Sequence, residues 1–116
     1  MIHTSYFKKS YDVKGAINIA LSHPDFFTGP SYPDLFPTWR LINQYKGGII
    51  TEQKYIEWYL KLLDQRNLDP LTVANQLDGC TLLCWEESGK FCHRHVVGDW
   101  LRPCVDVEEI KQITLF

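Results

Sequence analysis

The segment Leu82-Leu-Cys-Trp-Glu-Glu-Ser-Gly-Lys-Phe-Cys-His-Arg-His-Val-Val-Gly-Asp-Trp-Leu101 contains an apolar run, a loop with one glycine, and a second stretch with helical spacing. The apolar run Cys80–Trp85 predicts a buried strand, and Cys92–Arg102 predicts a helix that Pro103 ends. A strand, a loop and a helix in this order are typical of α/β proteins. Since ligands bind at the carboxyl ends of strands in such sheets, we expect the loop Glu86–Phe91 to border a functional site.

The rest of the chain predicts further strands and helices around this unit. Strands are predicted at Ile2–Phe7, at Ala16–Leu21, and in either Val105–Val107 or Ile113–Phe116. Helices are predicted at Thr38–Tyr45, at Thr51–Gln65, and from the capping pair Asp69-Pro70 to Leu77. We therefore expect an α/β fold, a small three-layer sandwich in which helices flank a mixed or mostly parallel sheet of about four strands.

The link between the first two predicted strands is short. It holds about nine residues, whereas a parallel crossover usually needs a dozen or more. Either a cramped single turn makes a parallel crossover, or the two strands are antiparallel, which the length favours.

Composition indicates a single globular domain over residues 1–116. Hydrophobic residues make up 45% of the chain and charged residues 22%, both ordinary for a globular protein. The net charge of −2 comes without any basic block, which argues against sequence-independent binding to duplex nucleic acid. The chain has neither a long apolar run nor a signal-like N-terminus, so we expect a cytoplasmic protein with no membrane partner.

The stretch Ser22–Pro37 holds four of the six prolines together with several aromatic residues. Proline fixes φ and removes a hydrogen-bond donor, so this stretch is predicted to be a long loop. A loop of this length inside a small domain is often a lid or a binding loop. Its aromatic residues are equally compatible with capping the core, and both interpretations stay open.

The four cysteines all lie in the last third of the chain, at Cys80, Cys84, Cys92 and Cys104. Without an export signal they predict free thiols. A zinc site is the structural alternative, but the spacing Cys-x7-Cys-His-x-His differs from the paired clips of usual zinc modules. Cys92 and His93, as neighbours on a helix, would point about 100° apart. We therefore expect no metal and no cofactor.

The candidate functional residues lie at the start of the helix predicted at Cys92–Arg102, directly after the loop Glu86–Phe91. A helix N-terminus suits an anion, and Arg94 adds a bidentate donor there, although Arg94 can instead neutralise an acidic neighbour. Cys92 at the same position has a stabilised thiolate. His93 points inward, and both burial and the helix N-terminus predict a pKa below about 6.5, unless Glu86 pairs with it.

The same residues resemble the family called domain of unknown function 488. The most specific part of the resemblance is Leu-Leu-Cys-Trp-Glu at 82–86 followed by Phe-Cys-His-Arg-His at 91–95. Three further stretches are also similar: Ile-His-Thr-Ser-Tyr-Phe at 2–7, Ala-Ile-Asn-Ile-Ala at 16–20 and Tyr-Pro-Asp-Leu-Phe-Pro at 32–37. The resemblance implies a compact α/β sandwich with parallel first strands, and it supports the segment Cys84 through Arg94 as a functional centre. It names no substrate. Longer members carry an Asp-Val-Arg sequence after the second strand, where this chain has Asn18-Ile19-Ala20-Leu21.

These residues lead to two functional hypotheses. In the first, the chain is an enzyme for a phosphorylated small molecule, a nucleotide or a nucleic-acid end, with a Cys-His-Arg centre at the strand–loop–helix junction. In the second, it is a binding module for a nucleotide, single-stranded nucleic acid or a protein partner, without catalysis. The predicted site has catalytic residues Cys92, His93 and Glu86, and ligand-binding residues Arg94, Tyr6, Cys84 and Lys90.

Overall fold

A computed structural model describes residues 1–87 and 89–110 of the chain. The strands are β1 (Ile2–Tyr6), β2 (Ala16–Asn18), β3 (Thr81–Cys84) and β4 (Val107–Glu109). The helices are α1 (Phe7–Ser10), α2 (Trp39–Lys46), α3 (Glu52–Gln65), α4 (Pro70–Leu77) and α5 (His93–Leu101), with a 3₁₀ turn at Pro33–Leu35. The alternative last strand at Ile113–Phe116 lies outside the described residues.

The four strands form one sheet in the order β2-β3-β1-β4, and every pairing is parallel. The prediction of an α/β fold with a mostly parallel sheet is confirmed. The antiparallel arrangement that the short first link favoured is wrong, because the single-turn helix α1 is enough to make the crossover. Gly15 completes this turn at φ 83°, a conformation that suits glycine.

Both faces of the sheet are covered. Leu82 and Leu83 are neighbours on β3 that point to opposite faces, and both are fully buried. Leu82 packs into the larger core with helix residues such as Val97. Leu83 belongs to a smaller cluster on the other face, where Phe7 and Phe27 pack with ring centroids 5.3 Å apart. Burial on both faces explains why β3 is apolar without alternation.

The caps that Thr51 and Asp69 predict are present, and Thr38 caps α2 in the same way. The side chains of Thr38, Thr51 and Asp69 each accept a hydrogen bond from the backbone N–H three residues later. In the long loop, Phe27 and Leu35 are buried, so part of the loop does cap the core. Over residues 1–87 and 89–110, no helix is both long enough and apolar enough to cross a membrane.

Candidate functional site

A pocket of about 450 Å³ lies beside the junction between β3 and α5. Three of its buried lining residues are Cys84, Cys92 and His93, which we call the Cys-His cluster. Cys84 is the last residue of β3, and His93 is the first residue of α5. The other lining residues include five aromatic side chains and one ion pair: Trp39, Tyr45, Tyr55, Trp85, Phe91, and Lys46 with Glu86. The pocket therefore lies at the carboxyl end of the parallel strand β3, where the sequence predicts a site.

His93 is held in one orientation at the buried side of the pocket. Its Nε2 lies 2.7 Å from the carbonyl oxygen of Ile19. A carbonyl oxygen only accepts hydrogen bonds, so Nε2 carries the proton and Nδ1 of the neutral ring has a free lone pair. Nδ1 lies 3.6 Å from Sγ of Cys92. Burial lowers the pKa of His93 to about 4, which confirms the prediction of a buried neutral imidazole.

A disulfide joins Cys84 and Cys92, so the prediction of free thiols is wrong for these two residues. Cys92 is the N-cap of α5 and has extended backbone angles, φ −151° and ψ 151°. The helical geometry assumed from the sequence does not apply to it, and its sulfur reaches the end of β3. Cys80 and Cys104 have free thiols.

The same N-cap conformation brings Cys92 and His93 together. The ligand atoms of Cys84, Cys92 and His93 all lie within 4.8 Å of one another. The expectation that Cys92 and His93 would point about 100° apart was therefore wrong, because only His93 is helical. His95 is not part of this cluster.

Arg94 is completely buried and contacts other parts of the protein. Its guanidinium forms a two-point ion pair with the carboxylate of Glu109, at 3.0 and 2.9 Å. Its Nη1 donates to Sγ of Cys84 at 2.9 Å and to the backbone oxygen of Glu86 at 2.6 Å. Arg94 thus lies behind the Cys-His cluster, and the acidic partner is Glu109 on β4. The ion pair is thus with Glu109, and not with an acidic residue that lies close to Arg94 in the sequence.

The remaining predicted site residues have different positions. Glu86 lines the pocket, and its carboxylate lies 4.0 Å from Nζ of Lys46. Tyr6 is the last residue of β1 and pairs with Cys84 in the sheet register, so both residues lie at the carboxyl ends of their strands. Among the described residues, Tyr6 and Lys90 are not in the pocket lining.

Lys46 and the three aromatic residues Tyr45, Tyr55 and Phe91 in the pocket lining were not among the predicted site residues. Tyr45, Tyr55 and Phe91 contact one another with ring centroids 5.1–5.6 Å apart, and they come from α2, α3 and the loop before α5. Their helical spacing indicates only that they face the interior. Their convergence depends on how α2 and α3 pack, which no local pattern specifies.

Comparison with known proteins gives one family. The family model described as Active DUF488-N3 subclade matches residues 25–103, which is more than half of the chain and includes the whole Cys-His cluster. No curated protein and no solved structure matches the chain.

Proposed function

Since the chain belongs to the DUF488 family, in the subclade described as active, we propose that it is an enzyme that acts on a nucleotide-like ligand at the Cys-His cluster. The observation that carries this proposal is the position of Cys84, Cys92 and His93 at the buried side of an aromatic pocket. Thiols and an imidazole are the groups that proteins use for nucleophilic and proton-transfer chemistry.

The pocket lining supports a ligand that has a planar ring and a negative charge. Aromatic side chains stack on nucleobases, and this pocket presents several of them. Lys46 supplies a positive charge at the exposed side, where 68% of its side chain is accessible. The pocket volume of about 450 Å³ is within the usual range for small-molecule sites. Lys46 replaces Arg94 as the residue that contacts the anion, because Arg94 is buried against Glu109.

The chemistry requires the dithiol form of the cluster. With the disulfide reduced, Nδ1 of His93 is placed to accept the thiol proton of Cys92, because the Ile19 carbonyl keeps the other ring nitrogen protonated. Arg94 donates to Cys84 and so favours the thiolate of that residue. The cluster then offers a base and two sulfur ligands or nucleophiles at one place.

A binding module is the second candidate, and the exposed tryptophans favour it. Trp39 and Trp85 line the pocket and are 60% and 49% exposed. Exposed aromatic rings beside a pocket suit stacking of bases in a nucleotide or in single-stranded nucleic acid. This function would need the pocket and Lys46 but no reaction.

Binding and turnover by the full chain in a reducing buffer distinguish the two candidates. We expect nucleotides to raise the melting temperature of the chain. The Lys46→Ala variant should need about ten times more nucleotide for the same rise. Lys54→Ala, on the exposed surface of α3, is the matched control and should leave it unchanged. Mass spectrometry of the incubated nucleotides then tests for a product. Binding without any product supports the module, and a chain that binds neither nucleotides nor a single-stranded oligonucleotide contradicts both candidates.

A further inference from the structure

We propose that Cys84, Cys92 and Nδ1 of His93 bind a divalent metal ion, Zn²⁺, when the two cysteines are reduced. The inference deepens the proposed function, because the ion would lie at the buried side of the same pocket; in the metal-bound form Nδ1 of His93 is a ligand of the ion and not a base. Metal binding itself does not require that a nucleotide binds there.

The positions of the three ligand atoms fit one ion. Zn–S bonds of about 2.3 Å and Zn–N bonds of about 2.0–2.1 Å at tetrahedral angles place a sulfur and a nitrogen ligand about 3.5 Å apart. Sγ of Cys92 and Nδ1 of His93 are 3.6 Å apart. All three ligand atoms lie within 4.8 Å of one another. Cys92 and His93 therefore already have the separation that a shared ion requires.

The backbone leaves room for the ion between the two cysteines. Two sulfurs on one zinc ion lie about 3.8 Å apart, so the sulfurs must separate after reduction. The Cα atoms of Cys84 and Cys92 are 7.2 Å apart, wider than the roughly 4.4–6.8 Å usual for disulfides. This Cα separation is compatible with two sulfurs that are no longer bonded to each other.

The neighbours of the ligands resemble those of known metal sites. A metal-bound histidine usually donates its other ring N–H to a carbonyl or carboxylate, as His93 does to Ile19 at 2.7 Å. Arg94 donates to Sγ of Cys84 at 2.9 Å, which stabilises a thiolate ligand. Each contact thus holds one residue of the proposed site.

The charges balance at this buried position. Two thiolates neutralise one Zn²⁺, and the positive charge of Arg94 is already balanced by Glu109. Thiolate and imidazole ligands together favour Zn²⁺ over the harder ions Mg²⁺ and Ca²⁺. Three protein ligands leave one coordination position, which is the arrangement of catalytic zinc sites. That position would face the pocket, where a water or a ligand atom can occupy it.

Zinc and the disulfide exclude each other. A phosphine reductant supplies two electrons and becomes a phosphine oxide with oxygen from water, and the two sulfurs take up two protons. Zn²⁺ then displaces both thiol protons and accepts the lone pair of Nδ1. The oxidised chain has no thiolate ligands at the cluster and should not bind the ion.

The test adds Zn²⁺, or Co²⁺ as a spectroscopic probe, to the full reduced chain without any nucleotide. We expect one ion per chain, the visible absorption of tetrahedral cobalt with thiolate ligands, and no binding by the oxidised chain. His93→Ala should weaken zinc binding roughly a hundredfold or more, whereas His95→Ala, two residues further along α5 and outside the cluster, should not. Equal affinity in both variants would overturn the proposal.

A second measurement uses the unaltered chain, so it does not depend on a variant that folds. Zn²⁺ should protect Cys84 and Cys92 from alkylation and leave Cys80 and Cys104 reactive, as located by peptide mass spectrometry. Equal labelling of all four cysteines with and without zinc would overturn the metal site. Nucleotide binding by the chelator-treated chain, compared between Lys46→Ala and Lys54→Ala, tests the proposed function separately.

Discussion

Arg94 on α5 and Glu109 on β4 form a two-point ion pair, and the Arg94 side chain is completely buried. The pair connects the helix that begins at the Cys-His cluster to the edge strand of the sheet. Arg94 also donates to the backbone oxygen of Glu86, so it fixes the start of the loop that follows β3. Its position makes it a positioning residue for the pocket.

We expect Arg94→Ala to lower the free energy of unfolding by about 3–5 kcal/mol, because it removes a fully buried side chain together with its two-point ion pair to Glu109. Arg102→Ala on the same helix is the matched control. Arg102 pairs with Asp99 at the exposed surface, so its loss should cost less than about 1 kcal/mol. Urea unfolding of both variants measures the difference. Equal stability of the two variants would show that Arg94 is not structural and would restore it as a ligand-binding candidate.

We expect Tyr59→Phe to lower the free energy of unfolding by about 1–3 kcal/mol. The Tyr59 hydroxyl is fully buried and donates to the carbonyl oxygen of Leu35 at 2.6 Å, so its loss leaves a buried acceptor unpaired. This bond attaches the long loop to α3. Tyr11→Phe, at an exposed position, should change the free energy of unfolding by less than about 0.5 kcal/mol. A Tyr59→Phe variant as stable as the unaltered chain would contradict the role of this bond.

Thiol labelling should follow the observed cysteine states. Without a reductant, an alkylating reagent should label Cys104 first, because it is exposed, and Cys80 more slowly. Burial raises the pKa of the Cys80 thiol, which lowers its thiolate fraction at neutral pH. Cys84 and Cys92 should label only after reduction. Rapid labelling of Cys92 in the unreduced chain would contradict the disulfide and would support the free Cys92 thiolate that the sequence predicts.

Local patterns predicted the elements that position the site. Thr51 and Asp69 begin helices as their side chains indicate, and the apolar run up to Cys84 is a buried strand. The inward orientation of His93 also followed from helical spacing. Each of these features depends on residues that are close together in the sequence.

Features that depend on one exceptional residue or on distant contacts were not predictable. Cys92 lies outside the helix by one position, and its extended conformation produces both the disulfide and the cluster with His93. The partner of Arg94 lies on β4, across the sheet from the loop, so no local spacing pointed to Glu109. The parallel crossover through Phe7–Ser10 is shorter than the general length rule allows.

We expect acidic pH to destabilise the fold through His93. Burial lowers its pKa to about 4; the Ile19 carbonyl acts in the opposite direction, and the positive charge of Arg94 acts with burial. In the unfolded chain this residue titrates near pH 6.5, so between about pH 6.5 and pH 4 the unfolded state binds the extra proton. The contribution of His93 to the free energy of unfolding should therefore be constant above this window and fall by as much as about 3 kcal/mol as the pH drops through it.

The measurement uses the oxidised chain with a chelator present, so that neither thiolates nor a metal ion affect the imidazole. NMR titration should show His93 protonating near pH 4. Burial also lowers the pKa of His95, so part of the acid sensitivity comes from that residue. His93→Gln removes the titrating group, and its free energy of unfolding should change less between pH 7 and pH 5 than that of the unaltered chain. A His93 that protonates at about pH 6.5 or above, as an unperturbed histidine does, would contradict the neutral buried ring, and with it the free Nδ1 lone pair that faces Cys92.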